Sequence, residues 1–101
     1  MEGYLIALFN SVVFPIKKNT KLLWLETPIN PSLTIYDIEA ICKFCKENGI
    51  ISVVENTMAS PYLQSPLLLG ADICMNAVSK YIGGHSDLIL GTITLNDEKL
   101  Y

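Results

Sequence analysis

Charged residues are scarce in this chain of 101 amino acids, of which 17% are charged and 50% are hydrophobic. The seven cationic residues are scattered and the net charge is -3. The chain therefore lacks the clustered cations that bind a nucleic-acid backbone, and we expect no nucleic-acid partner. The chain is long enough for one small domain, but it has little polar surface to cover that domain. We therefore expect either that it buries much of its surface against a partner or that it is a piece of a larger domain.

Histidine and cysteine are also rare. The chain has three cysteines, and this odd number argues against a framework of disulfides alone. Cys42 and Cys45 form a C-x-x-C pair, as in some redox and zinc sites, but no second pair follows and His85 is the single histidine. Because a structural zinc site takes about four ligands, we expect no metal. We favour reduced core or helix-surface thiols in a cytoplasmic protein over a redox or metal function.

No apolar run reaches the roughly 20 residues that a helix needs to cross a bilayer, so we expect no membrane partner. Residues 1–14 are apolar, but they lack the early positive charge and the small-residue cleavage site of a signal peptide. Two interpretations stay open for this segment. It enters a buried core, or its methionine lies inside a longer coding region.

Apolar runs on either side of a helical pattern predict a sheet covered by a helix. Residues 21–26 and 50–54 read as buried strands. Between them, residues 34–49 have apolar positions at helical spacing, with a capping box of Thr34 and Asp37 and a terminal glycine. Such a succession predicts a right-handed strand–helix–strand unit in a parallel sheet. Farther along, the sequence predicts one short helix and two more strands, over residues 62–69, 72–77 and 88–95.

Polar side chains follow the first three predicted strands, and ligands of open α/β sheets bind at such carboxyl ends. These side chains are Glu26, Asn30, Glu55, Asn56, Ser79 and Lys80. An amine at this edge can form a Schiff base with an aldehyde, a carboxylate can pair with a ring nitrogen, and a hydroxyl can bind a phosphate. These three groups together are typical of a site for pyridoxal phosphate. We expect Lys80 to hold this cofactor as a Schiff base and Glu55 to pair with its pyridine nitrogen. Ser79 then donates to the phosphate, and Asn30 bonds to the ring hydroxyl.

Five short motifs occur in a fixed order and spacing, at residues 26–31, 53–57, 60–67, 69–73 and 79–87. Together they resemble the trans-sulfuration family of pyridoxal-phosphate enzymes over about residues 17–95. The resemblance implies an α/β fold with a partial parallel sheet, as in the large domain of the PLP-dependent transferases (aspartate aminotransferase, fold type I). Residues 1–101 would then be part of that cofactor domain, without a C-terminal small domain.

The same resemblance implies a carbon–sulfur lyase of sulfur amino acid metabolism, acting on cystathionine by β- or γ-elimination, and a homo-oligomer at full length. It also supports the four cofactor residues inferred above: Lys80, Glu55, Ser79 and Asn30. Methionine γ-lyase and cystathionine γ-synthase remain alternatives. So does a truncated, non-catalytic fragment that binds the cofactor weakly or works only with another chain.

Two positions depart from the family pattern. Glu55 stands where the family usually has aspartate, so its carboxylate is one methylene farther from the backbone. Ala77 stands where the family usually has serine, and the loss of one hydrogen bond to a charged phosphate costs about 1.5–3 kcal/mol. The family's earlier phosphate loop, its ring-stacking aromatic residue and its substrate-binding arginine also have no counterpart in this sequence. The hydroxyl lost at Ala77 predicts reduced affinity for the cofactor, and the missing parts make the chain resemble the middle of a cofactor domain.

Overall fold

The computed structural model describes residues 1–100, apart from the side chain of Glu2. The elements, in chain order, are α1 (Glu2–Val13), β1 (Leu22–Glu26), α2 (Ile38–Glu47), β2 (Ile51–Glu55), α3 (Ser60–Leu63), β3 (Ile73–Ala77), β4 (Gly91–Leu95) and a 3-10 turn (Glu98–Leu100). None of the helices in this part of the chain is long and apolar enough to cross a membrane.

The four strands form one sheet in the order β1-β2-β3-β4. The first three are parallel, and α2 connects β1 to β2, which confirms the predicted strand–helix–strand unit. β4 runs antiparallel to β3. Its direction follows from the loop before it: Ser79 N–H donates to the Leu90 carbonyl and Leu90 N–H donates to the Ser79 hydroxyl. These bonds turn the chain back on itself without the crossover helix that a parallel strand needs.

The core lies between α2 and one face of the sheet. It consists of Leu25, Ile38, Ile41, Cys42, Cys45, Ile50, Val54 and Ala71. The opposite face carries large apolar side chains, and Trp24 and Ile93 are 56% and 65% exposed there. The prediction that residues 21–26 form a buried strand is therefore wrong for one face of β1, where Leu22 and Trp24 stay exposed to solvent.

The amino-terminal segment forms α1 and packs against α2. The Phe9 and Phe44 rings meet edge to face with their centroids 6.1 Å apart. Phe9 and Val12 pack against the core, while Tyr4 and Ile6 remain exposed. The interpretation that residues 1–14 enter a buried core is therefore confirmed for the side of α1 that bears Phe9 and Val12.

Two predicted helices have wrong boundaries. α2 begins after Asp37, whose carboxylate accepts a hydrogen bond from Ala40 N–H, and Thr34 takes no part in a capping box because its hydroxyl pairs with that of Ser32. The helix predicted over residues 62–69 is instead α3, which begins near Pro61 and ends before Pro66. Proline suits a first helical turn, where Pro61 lies, and it disfavours helix in the residue before it, so α3 does not continue to Pro66.

Candidate functional site

The carboxyl ends of β1, β2 and β3 surround a cavity of about 420 Å³. Its position follows from the strand register, which places Glu26 level with Glu55 and Glu55 level with Met75. The residues that line it are Glu26, Asn30, Glu55, Thr57, Met58, Ala77, Lys80 and Tyr81. Three of the four predicted cofactor residues, Asn30, Glu55 and Lys80, therefore face one space.

Glu55 closes β2, and its carboxylate is held by the residue two positions later. One carboxylate oxygen, Oε1, accepts hydrogen bonds from Thr57 N–H, at 3.2 Å, and from the Thr57 hydroxyl. The same hydroxyl oxygen accepts a hydrogen bond from Ala77 N–H at 2.8 Å. These contacts tie the end of β2 to the end of β3 directly beneath the cavity. Thr57 is not among the site residues predicted from the sequence, and its place two residues after Glu55 is the signal that could have found it.

Lys80 is exposed at the mouth of the cavity on a tight loop that follows β3. Gly83 N–H donates to the Val78 carbonyl at 2.7 Å, and Gly84 N–H donates to the Lys80 carbonyl at 2.8 Å. A Cβ at Gly83 would lie 2.9 Å from the Val78 carbonyl oxygen, so the loop closes only around a glycine. The Gly-Gly pair therefore fixes the backbone that presents the lysine.

Ser79, the fourth predicted cofactor residue, does not line this cavity. Its hydroxyl donates to the Leu90 carbonyl at 3.2 Å and accepts from Leu90 N–H at 2.8 Å. In this arrangement the hydroxyl fastens the loop between β3 and β4. Its predicted contact with a phosphate stays a prediction and requires the side chain to turn away from Leu90.

The loop after β1 carries Asn30 to the cavity. Asn30 N–H donates to the Glu26 carboxylate at 3.2 Å, so Glu26 positions the turn that bears the predicted ring-hydroxyl partner. Asn56, by contrast, is fully buried below the rim and does not reach the cavity. The expectation that it lies on the rim with Glu55 is wrong, because the alternation of the strand end turns it toward the protein interior.

A buried bridge holds the first two strand ends together. Gln64 Nε2 donates to the Thr27 carbonyl and to Asn56 Oδ1, each at 2.8 Å, and Asn56 Nδ2 donates to the Gln64 carbonyl at 3.0 Å. Thr27 follows Glu26 and Asn56 follows Glu55. The bridge therefore sets the spacing between the two carboxylates of the cavity.

The lining residues fit the reactive part of a pyridoxal phosphate molecule. They offer a primary amine for an aldehyde, a carboxylate for a ring nitrogen and an amide for a ring hydroxyl, in a cavity of the volume usual for cofactor sites. The lining offers fewer free hydrogen-bond donors for the phosphate group of the cofactor. Thr57 is occupied by Glu55, the Tyr81 hydroxyl lies 3.7 Å from the Met58 sulfur, and Ala77 offers only a methyl group.

The cysteines lie apart from this cavity. All three are free and buried, as expected for reduced core thiols. Burial raises the pKa of Cys45 to about 11, with further contributions from Cys42 and Asp72, so the thiol is protonated near neutral pH. Within residues 1–100, no group of three or more histidine, cysteine, aspartate or glutamate side chains is placed to hold a metal ion.

Comparison with known proteins adds three kinds of match. Residues 6–101 match the family model described as "Cys/Met metabolism PLP-dependent enzyme". A probable cystathionine gamma-synthase of Herpetosiphon aurantiacus is 51% identical over 86 residues, which are 85% of this chain and 27% of that protein. A cystathionine gamma-lyase of Dictyostelium discoideum is 50% identical over 82 residues, which are 81% of this chain and 21% of that protein.

Among solved structures, the metB crystal structure from Corynebacterium glutamicum superposes with a TM-score of 0.86 at 50% identity. The match covers 90% of this chain and 24% of that one. The chain thus spans about a quarter of the length of the relatives that it matches.

Proposed function

This chain belongs to the family of Cys/Met metabolism PLP-dependent enzymes, and from that premise we propose that it supplies the cofactor-holding centre of a carbon–sulfur lyase. The predicted α/β fold of type I is confirmed, with a mixed rather than purely parallel sheet. The observation that carries the proposal is the convergence of Lys80, Glu55 and Asn30 on one cavity.

Each of these residues has a distinct proposed role. Lys80 holds the cofactor through its amine and moves a proton between the substrate carbon and the leaving group. Glu55 accepts a hydrogen bond from the pyridine nitrogen and keeps that nitrogen protonated. Asn30 donates to the ring oxygen, and Ser79 contacts the phosphate once it leaves Leu90. When bound, pyridoxal phosphate supplies an electron sink for the substrate carbanion.

The proposed substrate is a sulfur amino acid, with cystathionine the first choice because two of the relatives are a cystathionine gamma-synthase and a cystathionine gamma-lyase. We favour a lyase, and we hold synthesis of cystathionine and cleavage of methionine as alternatives. The proposed assembly at full length is a homo-oligomer. A cytoplasmic location is supported by the three free cysteines.

A second candidate function is a family fragment that binds the cofactor weakly or works only with another chain. One observation favours it: the large apolar side chains of Trp24 and Ile93 are exposed on one face of the sheet. In that case Lys80 still holds the cofactor, but the chain alone turns over no substrate.

Absorbance titration with pyridoxal phosphate tests the shared first step of both candidates. We expect wild-type protein to develop the visible band of a lysine-bound cofactor and Lys80→Ala to lose it. Lys43→Ala is the matched control, because Lys43 is exposed on α2 and does not line the cavity. A band of equal strength in Lys80→Ala would overturn the assignment of Lys80. Release of a keto acid from cystathionine then separates the lyase from the fragment.

A further inference from the structure

We propose that Thr57 is a positioning residue that holds Glu55 in the one orientation in which its second carboxylate oxygen faces the cofactor. The inference rests on the proposed function, since it concerns how this chain adapts its cofactor cavity to a glutamate. It starts from the contacts among Glu55, Thr57 and Ala77 at the ends of β2 and β3.

The hydrogen bonds have a fixed direction. Ala77 N–H is a donor only, so the Thr57 hydroxyl oxygen must act as the acceptor in that contact. The single hydroxyl proton of Thr57 is then free for Glu55 Oε1, which also receives Thr57 N–H. Oε1 therefore has two donors from one residue. Oε2 has no donor among the hydrogen bonds of residues 1–100, and it belongs to a side chain that lines the cavity.

We call the hydrogen bonds that join Glu55, Thr57 and Ala77 the Glu55 clamp. The length of the glutamate side chain explains why this clamp matters. A glutamate side chain has one more rotatable bond than aspartate, so a free glutamate loses more side-chain entropy when a ligand fixes it. In this chain the carboxylate is fixed before any ligand arrives, because a threonine anchored to the neighbouring strand holds one oxygen. The cavity can thus present the remaining oxygen to a protonated ring nitrogen without losing that entropy on binding.

The clamp also links the two strand ends mechanically. Thr57 follows β2, whereas Ala77 is the last residue of β3 and lies three positions before Lys80. The distance between the carboxylate and the loop that presents the lysine therefore depends on the Thr57 hydroxyl. Removing the hydroxyl should leave Glu55 Oε1 with only the Thr57 N–H as a donor and should leave the Ala77 N–H without its acceptor.

The test is a double-mutant cycle in the full 101-residue chain, read as the dissociation constant of pyridoxal phosphate from the visible absorbance band. Thr57→Val keeps the shape of the side chain and removes the hydroxyl. It should weaken binding by about tenfold or more, the usual effect of losing a hydrogen bond to a charged group. Thr57→Ser keeps the hydroxyl and should stay within about threefold of wild type. In the Glu55→Gln background, Thr57→Val should add much less than it does in the wild-type background.

The outcomes separate the two proposals. A wild-type chain without the band overturns the proposed function and this inference with it. If the wild-type chain shows the band, any one of three results overturns the inference and leaves the proposed function standing. Thr57→Val binds pyridoxal phosphate as tightly as wild type, or Thr57→Ser binds it as weakly as Thr57→Val. In the third result, Thr57→Val raises the dissociation constant by the same factor in the Glu55→Gln and wild-type backgrounds. Circular dichroism of each variant monitors folding, and Thr57→Ala replaces Thr57→Val if the valine disrupts the fold.

Discussion

The buried bridge formed by Gln64 offers the strongest test of how this fold holds its cavity. Gln64→Leu removes both hydrogen bonds that Nε2 donates, to the Thr27 carbonyl and to Asn56 Oδ1. Thr27 and Asn56 are 0% exposed, so water does not readily replace the lost donor. A buried acceptor without a partner costs about 1–3 kcal/mol. Because the Gln64 side chain is itself half-buried, we expect a combined loss of about 2–4 kcal/mol in the free energy of unfolding.

Urea unfolding followed by far-ultraviolet circular dichroism measures this loss. Ser65→Ala is the local control, because Ser65 is exposed and its carbonyl, which the substitution keeps, accepts the hydrogen bond from Leu68 N–H. An unfolding free energy of Gln64→Leu within about 0.5 kcal/mol of wild type, the range of ordinary surface substitutions, would refute the proposed importance of the bridge.

The same variant should also weaken the cofactor site. Thr27 and Asn56 adjoin the two glutamates of the cavity, so loss of the bridge lets these strand ends move apart. Ile41→Ala provides a matched comparison, since Ile41 lies on the core-facing side of α2, is 1% exposed, and its truncation costs about 2–5 kcal/mol. We expect Gln64→Leu, but not Ile41→Ala, to raise the dissociation constant of pyridoxal phosphate. An equal effect of both variants would mean that stability alone sets the affinity.

Three further predictions concern single residues. Burial raises the pKa of Cys45 from 9.0 to about 11, so the protonated thiol stabilises the fold fully below pH 9 and this stabilisation is lost as the pH rises through about 11. The Tm of the wild type should therefore fall between pH 8 and 11, and Cys45→Ala should make that fall smaller. Asp37→Ala should cost about 1 kcal/mol in urea unfolding by removing the cap on Ala40 N–H, whereas Asp37→Asn should cost much less; equal losses would contradict the cap. Gly83→Ala should cost about 1–3 kcal/mol and weaken cofactor binding, because its Cβ would press on the Val78 carbonyl; binding and stability equal to wild type would show that the loop relaxes freely.

The sequence by itself determined the order of the main elements and the family. Apolar runs and helical spacing are local properties, and they correctly predicted β1, α2, β2 and β3 to within a few residues. The five motifs identified the family correctly, since the residue types required for one cofactor recur at one spacing. The antiparallel direction of β4 was not specified, because it depends on bonds between Ser79 and Leu90, eleven residues apart.

Only the tertiary structure decided which polar side chains share a space. Strand register, rather than local pattern, brings Glu26 level with Glu55 and places Asn30, Glu55 and Lys80 around one cavity. The roles of these residues stay predictions, as does that of Ser79, whose hydroxyl is engaged with Leu90. The clamp on Glu55 was likewise invisible in the sequence. It joins Thr57 to Ala77, twenty residues away, and only the pairing of β2 with β3 makes them neighbours.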